Sequence, residues 1–240
     1  MDEIAPAYSG RCSRCRMRNE VCICDLIPII HNETPLTVLM HHREAYKTTN
    51  TARIACLALQ NSAIHYRGLP EWRRKTSDTG SANNKYKSLI DTKRQPILLT
   101  LSDKSAVLTR GWLAQFNNSV QLIVPDGNWR QANKMGKREP DLKNIPWVKL
   151  PPGLPSRYFL RHEHHPEGMS TLEAIARAFG IIESTKIQTE LERIFETMVT
   201  RTLSTRPPMR NSNLTPKIPI NQEDGVAKTQ TASWNSHHGD

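Results

Sequence analysis

The sequence predicts an α/β fold, a mainly parallel β-sheet flanked by helices. Short apolar runs at Leu36–Met40, Ile97–Leu101, Val120–Val124 and Pro146–Leu150 have the length of buried strands. Stretches with helical spacing and capping residues lie between them. This alternation is the mark of parallel strands joined by helical crossovers. With 37% hydrophobic residues, a chain of 240 residues can also bury the core of one sizeable domain.

The elements follow in order. Leu36–Met40 is the first strand. Asn50 or Thr49 can cap a helix from Thr51 to about Tyr66, with Ile54, Leu57, Leu59 and Ile64 on its apolar face and Gly68 to close it. Residues 73–95 are polar and rich in Gly, Ser, Asn and Lys, an extended loop. Ile97–Leu101 is the second strand, and Ser102 or Asp103 can cap a helix through about Phe116. The third strand, Val120–Val124, halts at Pro125, and a short helix spans Trp129–Lys137. Pro146–Leu150 is the fourth strand, followed by the loop "PPGLPSRYFLR". Ser170-Thr-Leu-Glu173 is a capping box opening a helix to about Phe179. A last amphipathic helix covers Ile187–Thr200. Beyond Arg201, Pro, Ser, Thr and Asn replace any apolar period, which predicts a disordered tail. The expected organisation is therefore a cysteine module over 1–30, a catalytic-sized domain over 31–201 and a tail over 202–240.

Lysine and arginine exceed the acids by 33 − 23 = +10. That excess favours a polyanionic partner, most simply nucleic acid. No apolar run approaches the roughly 20 residues that span a bilayer. The N-terminal "MDEIAPAYSG" has no apolar signal core, so a cytoplasmic protein with no membrane partner is expected.

Four of the five cysteines are crowded together: Cys12, Cys15, Cys22 and Cys24, spaced C-x2-C-x6-C-x-C. In a reducing compartment such a cluster reads as a metal site before it reads as disulfides or a redox pair. Four thiolates match structural zinc and leave no open position for chemistry. Arg11, Arg14, Arg16 and Arg18, interleaved with them, would offset the thiolate charge. Cys56 lies in an apolar stretch and reads as core.

The stretch "IVPDGNWRQANKM" places a carboxylate, Asp126, just past a strand and before a helix carrying Arg130, Lys134, Lys137 and Arg138. Ligands of open parallel sheets collect beyond the carboxyl ends of the strands. Gly127 would let a ligand approach the backbone, and a basic helix could hold phosphates. On spacing alone, a plain Pro-Asp-Gly turn with a helix cap is slightly favoured. His162, His164 and His165 lack the spacing of a metal-binding helix and read as a solvated loop.

The motifs taken together, in the order of the cysteine cluster, "LMHHREAYKTTNTARIACLAL", "PDGNWRQANKM", "LPSRYFLR" and "STLEAIA", make the chain resemble the DTW-domain family. These are tRNA-uridine aminocarboxypropyltransferases related to the SPOUT class of S-adenosylmethionine-dependent RNA enzymes. The resemblance runs from about Cys12 to Thr200, leaving out 73–95 and the tail. Asp126 and Trp129 match the Asp-x-Thr-Trp signature, with Asn128 in place of threonine. His41, Glu44, Asn50 and Thr51 match another segment, with His42 where proline is usual. Met17 replaces a common proline among the cysteines. Ser156, Tyr158, Leu160 and Arg161 match the later loop.

The resemblance implies a SPOUT-like fold and transfer of the 3-amino-3-carboxypropyl group of S-adenosylmethionine to N3 of a tRNA uridine. It implies that Asp126 is the base that takes the N3 proton, or the group that orients the uracil. It further implies that S-adenosylmethionine lies against Leu101, Pro125, Gly127, Trp129, Leu150, Ser170, Thr171 and Glu173. The tRNA would meet His41, Arg53, Arg130, Lys134, Arg157 and Arg161. Trp129 would serve more as an anchor than as a stacking platform. No obligate protein partner is implied. Three alternatives stand beside this reading: a SPOUT-type methyltransferase, an aminocarboxypropyltransferase acting on ribosomal RNA, and a non-catalytic zinc-containing RNA-binding protein.

Overall fold

The structure, a computed structural model, describes residues 10–68, 89–117, 119–153, 155–156 and 168–205. Residues 73–88 of the expected loop at 73–95 fall outside these, as do the histidines at 162–165, the matched loop residues Arg157, Tyr158, Leu160 and Arg161, and residues 206–240. Among the described residues, no helix is long and apolar enough to cross a membrane.

The strands are β1 (Leu36–His41), β2 (Ser62–Arg67), β3 (Gln95–Leu99), β4 (Ala106–Val107), β5 (Val120–Asp126) and β6 (Trp147–Lys149). They form one sheet in the order β2-β1-β5-β3-β6-β4, and every pairing is parallel. The helices are α1 (Thr51–Ala58), α2 (Arg110–Leu113), α3 (Trp129–Arg138), α4 (Thr171–Ile182) and α5 (Thr185–Ser204). The expected α/β class with helix-flanked parallel strands is what the chain forms.

Both faces of the sheet are covered, and the strands alternate between two cores. Leu36, Val38, Met40, Ile97, Leu99, Leu122 and Val124 join a large cluster with α1, α4 and α5. Leu39, Leu98 and Ile123 point the other way, towards Met135 and Leu142. Side chains of a strand switch faces with period two, so Asp126, in step with Leu122 and Val124, belongs to the α1/α4/α5 side. The cysteine segment shares that larger core through Cys15, Met17, Val21 and Ile23.

Several elements differ from expectation. The helix expected over Thr51–Tyr66 stops at Ala58, and Ser62–Arg67 is the edge strand β2. Ser62 Oγ donates to the carbonyls of Cys56 and Leu59, which satisfies the helix end. Ile30 N–H donates to Ala58 O and Gln60 N–H to Ile30 O, which turns the chain away. Ile64 therefore lies on a strand, and Gly68 ends a strand instead of a helix. The helix expected from Ser102 to Phe116 is a turn, then β4, then α2 capped by Thr109. Ser102 caps that turn, accepting from Lys104 N–H, and Leu108 N–H continues the β6 pairing at Lys149 O. The second strand covers Gln95–Leu99 instead of Ile97–Leu101, because Gln95 already pairs with Val120 of β5 and the β6 pairing ends at Leu99. The third strand does not halt at Pro125. Past the last β3 pairing, Leu98 with Ile123, only β1 flanks it, and it runs on to Asp126 opposite Met40. The last helix extends to Ser204, beyond the boundary expected at Arg201.

Candidate active site and four-cysteine centre

Asp126 ends the central strand β5 and is buried, 5% exposed. Two donors from distant segments grip its carboxylate. Asn50 Nδ2 donates to Oδ2 at 2.6 Å, and Thr171 Oγ1 donates to Oδ1 at 2.6 Å. Each donor begins a helix. Asn50 is the N-cap of α1, with its Oδ1 accepting from Arg53 N–H at 2.8 Å. Thr171 is the first residue of α4, whose N-cap Ser170 and Glu173 form the expected capping box. The amide of Asn50 thus works at both ends, capping a helix and holding an acid 76 residues away. A carboxylate gripped this way has a fixed orientation.

The other expected residues sort into three groups. The first surrounds Asp126. Gly127 follows it, and a Cβ there would lie 2.9 Å from Gln131 Cβ and 3.1 Å from Gln131 Oε1. Gly127 therefore makes room for the capping box of α3, in which Asn128 and Gln131 bond reciprocally at 2.9 Å each. Pro125 is half-buried on β5, and the Trp129 backbone opens α3; the Trp129 side chain lies outside the described atoms. Leu101 and Leu150 follow the carboxyl ends of β3 and β6. Ser170 and Glu173 are buried, and the Glu173 carboxylate accepts from Ser156 Oγ at 2.7 Å and Ser170 N–H at 3.0 Å.

The second group is charged. Arg130, Lys134, Lys137 and Arg138 are exposed on α3, as expected of a basic face. Arg53 is buried, its Nη2 donating to Tyr66 Oη at 3.1 Å, so it lies beneath the surface. His41 ends β1 beside Gly127 and packs on His42, ring centroids 4.6 Å apart. Burial first, then the charges of His42 and Arg43, pushes His41 below the usual imidazole range, so it is neutral at pH 7. Arg43 N–H donates to His41 Nδ1, which leaves the ring proton on Nε2. Gly68, at φ +75°, lies against that Nε2, where a Cβ would sit at 2.8 Å. The third group, Arg157 and Arg161, is outside the described residues.

Sequence reasoning assigned Asn50 to a helix cap and not to the site. Nothing local signals its second bond, because the partner is brought in by the β1–β5 register.

The cysteine centre is local. The sulfurs of Cys12, Cys15, Cys22 and Cys24 lie within 4.8 Å of one another. Cys12 and Cys24 are 3.5 Å apart and Cys15 and Cys22 3.7 Å apart, far beyond the ~2.05 Å of a disulfide. The cluster can hold a metal ion. Burial acts against ionisation of Cys12, but backbone N–H groups of Cys15 and Arg14 hold it at about 6. Burial pushes Cys15 up to about 11 and raises Cys24 further, with the neighbouring thiols adding to the effect. The four arginines divide. Arg14 and Arg18 are exposed, Arg16 is 9% exposed with φ +64°, and Arg11 Nη1 donates to Tyr46 O at 2.7 Å. The fifth cysteine, Cys56, packs against the core, and its burial lifts the thiol to about 12.

The DTW domain model matches residues 9–203. The chain belongs to the DTW domain family. Among known proteins it is similar to tRNA-uridine aminocarboxypropyltransferase 2 of Macaca fascicularis, 25% identical over 187 residues, 72% of this chain and 56% of that protein. It is 24% identical to tRNA-uridine aminocarboxypropyltransferase 2 of Drosophila melanogaster over 184 residues, 75% of this chain and 69% of the relative. The chain thus spans little more than half the length of the macaque protein. No solved structure matches it. A cavity of about 1130 Å³ opens at the opposite end of the sheet, lined by Asn61, Arg94, Val120 and Lys186 among others, and does not include Asp126.

Proposed function

We propose that this chain transfers the 3-amino-3-carboxypropyl group of S-adenosylmethionine to N3 of a uridine in tRNA. The observation that carries the reading is the gripped carboxylate of Asp126, placed where parallel sheets bind ligands in a chain of this family. The donor supplies a carbon made electrophilic by the adjacent sulfonium. The protein must then align that carbon with the uracil and remove the N3 proton. Asp126 takes that proton or orients the uracil imide, and Asn50 and Thr171 fix its direction. As the N3–C bond forms, the C–S bond breaks and methylthioadenosine leaves, so charge and atoms balance.

The neighbouring groups fit these tasks. The residues assigned to the donor, Leu101, Pro125, Gly127, Trp129, Leu150, Ser170, Thr171 and Glu173, lie in the chain at or just past the carboxyl ends of β3, β5 and β6 and at the starts of α3 and α4. Arg130 and Lys134 on α3 offer exposed cations to phosphates beside the target base. His41, neutral with Nε2–H, offers a hydrogen-bond donor in place of a charge. A uridine in an RNA loop costs least to present.

The four-cysteine centre fits zinc. A tetrahedron with Zn–S bonds of ~2.3 Å has S···S edges of about 3.8 Å, close to the Cys12–Cys24 and Cys15–Cys22 separations of 3.5 and 3.7 Å. All four ligands come from the protein, so the ion would be structural.

Mass spectrometry of nucleosides from tRNA incubated with the chain and S-adenosylmethionine tests the reaction. The expected product is uridine carrying the aminocarboxypropyl group, with methylthioadenosine released in equal amount. A methylated nucleoside with S-adenosylhomocysteine, or no product from competent tRNA, overturns it.

A further inference from the structure

We infer that the four-cysteine module acts on the carboxylate site, with Arg11 as the positioning residue that joins them. The inference rests on the proposed transfer for its activity readout and on geometry for the rest.

The module and Asp126 are linked by a short chain of contacts. Arg11 immediately precedes the first cysteine, and its backbone bridges to Arg18 across the cysteine loop. Its guanidinium donates to Tyr46 O at 2.7 Å. Tyr46 closes the 3₁₀ turn Glu44–Tyr46, which Lys47 N–H caps at Glu44 O. One further turn, closed by Asn50 N–H on Lys47 O at 3.3 Å, brings Asn50 to Asp126. Tyr46, Cys12, Cys22 and Cys24 pack against the same core cluster. The turn is anchored from within by Ala45 and by buried Glu44 paired with Lys47. Arg11 holds it from outside, at the carbonyl where it leaves for Asn50.

A closed metal site stiffens the segment on which Arg11 stands. That stiffness reaches the turn as a charge-assisted hydrogen bond, the stronger kind. The direction of Asn50 Nδ2 depends on the turn, and the direction of the Asp126 carboxylate depends on Asn50. Catalytic groups displaced by even a fraction of an ångström lose rate, so the module sets the reaction geometry besides stabilising the fold.

The test compares Arg11→Ala with Arg14→Ala in the full chain. Arg14 is exposed in the same module, so its loss reports the simple removal of a positive charge. Four quantities are read: zinc content, amide hydrogen exchange at Lys47 and Asn50, single-turnover transfer with tRNA and S-adenosylmethionine saturating, and the KM for tRNA. Arg11→Ala is expected to keep one zinc, to exchange faster at both amides, and to transfer about tenfold more slowly. Its KM for tRNA should move no further than that of Arg14→Ala. Arg11→Lys, which can still reach a carbonyl with one donor, should regain part of the rate. If the alanine variant does not fold, Arg11→Met, which keeps the apolar stem, takes its place. A zinc-loaded Arg11 variant with exchange and rate within twofold of Arg14→Ala overturns the link. If the unaltered chain transfers nothing, the proposed function fails, and the exchange comparison alone still decides the role of Arg11.

Discussion

The cysteine centre and the carboxylate site are built in opposite ways. All four cysteines fall within Cys12–Cys24, so local turns suffice to bring their sulfurs within 4.8 Å. The Asp126 site takes one residue from each of three distant segments, separated by 76 and 45 positions. The first is a property of a short peptide that can close on a metal. The second exists only once β1 and β5 are paired and α4 has docked. Removing one of the four cysteines should therefore act first on stability, and removing a part of the second on chemistry.

The largest effect is expected from the metal. Structural zinc contributes on the order of 10 kcal/mol in small zinc peptides. If the centre holds zinc, stripping it, or replacing Cys22 with serine, should untie Cys15, Met17, Val21 and Ile23 from the core. The melting temperature should fall further than for any substitution named below. Metal release should also become easier as pH falls, since thiols must lose their protons to bind and regain them in acid. Thermal melts with and without chelator check both, and an unchanged melt would make the cluster a bystander.

Asp126→Asn comes next. It keeps the size of the side chain, and the fold should survive. Transfer should drop by ~10²–10⁴-fold, the usual worth of a general base. Single-turnover rates near that of the unaltered chain would leave Asp126 a turn residue. Asn50→Asp sharpens the same point. Aspartate caps a helix about as well as asparagine, so α1 should persist. It replaces the donor to Asp126 with a second acceptor, so the rate should fall by at least about tenfold, and the melting temperature should fall too because two carboxylates then share one buried site. A variant as fast as the original would show that the carboxylate needs no grip from α1.

The same contrast governs what the sequence revealed. The cysteine spacing, the strand order of apolar runs and the capping box at Ser170 are local patterns, and they were legible. The site was legible only as its centre, Asp126, because strand end, glycine and helix cap adjoin one another there. Asn50 was visible as a cap and invisible as a partner. The β2 strand was hidden because Thr51–Tyr66 has apolar residues compatible with one helix, and only the side-chain bonds of Ser62 and the Ile30 bridge break it. The short β4 was hidden because two residues carry no period. Gly127 was read as a place where a ligand can approach the backbone, and the structure adds that its missing Cβ also leaves room for Gln131. Gly127→Ala should therefore cost about 1 kcal/mol of stability through the lost α3 capping box, measured by denaturant titration; a neutral result would show that Gln131 moves aside freely.

The smallest effect concerns the exposed face of α3. Lys134 is exposed, at neither the cysteine centre nor the Asp126 grip. If it contacts a phosphate, Lys134→Ala removes one cation from the RNA footprint and nothing from the chemistry. Binding of tRNA should weaken modestly at low salt, and the slope of log affinity against log salt should become shallower by about one unit at most. The gap between variant and original should then narrow as salt rises, because fewer counterions are released in the variant. The single-turnover rate at saturating tRNA should stay unchanged, which separates this residue from Asp126 and Asn50. An unchanged salt slope would place the RNA elsewhere on the molecule, while a lower saturated rate would make α3 part of the reacting geometry and not only a landing surface.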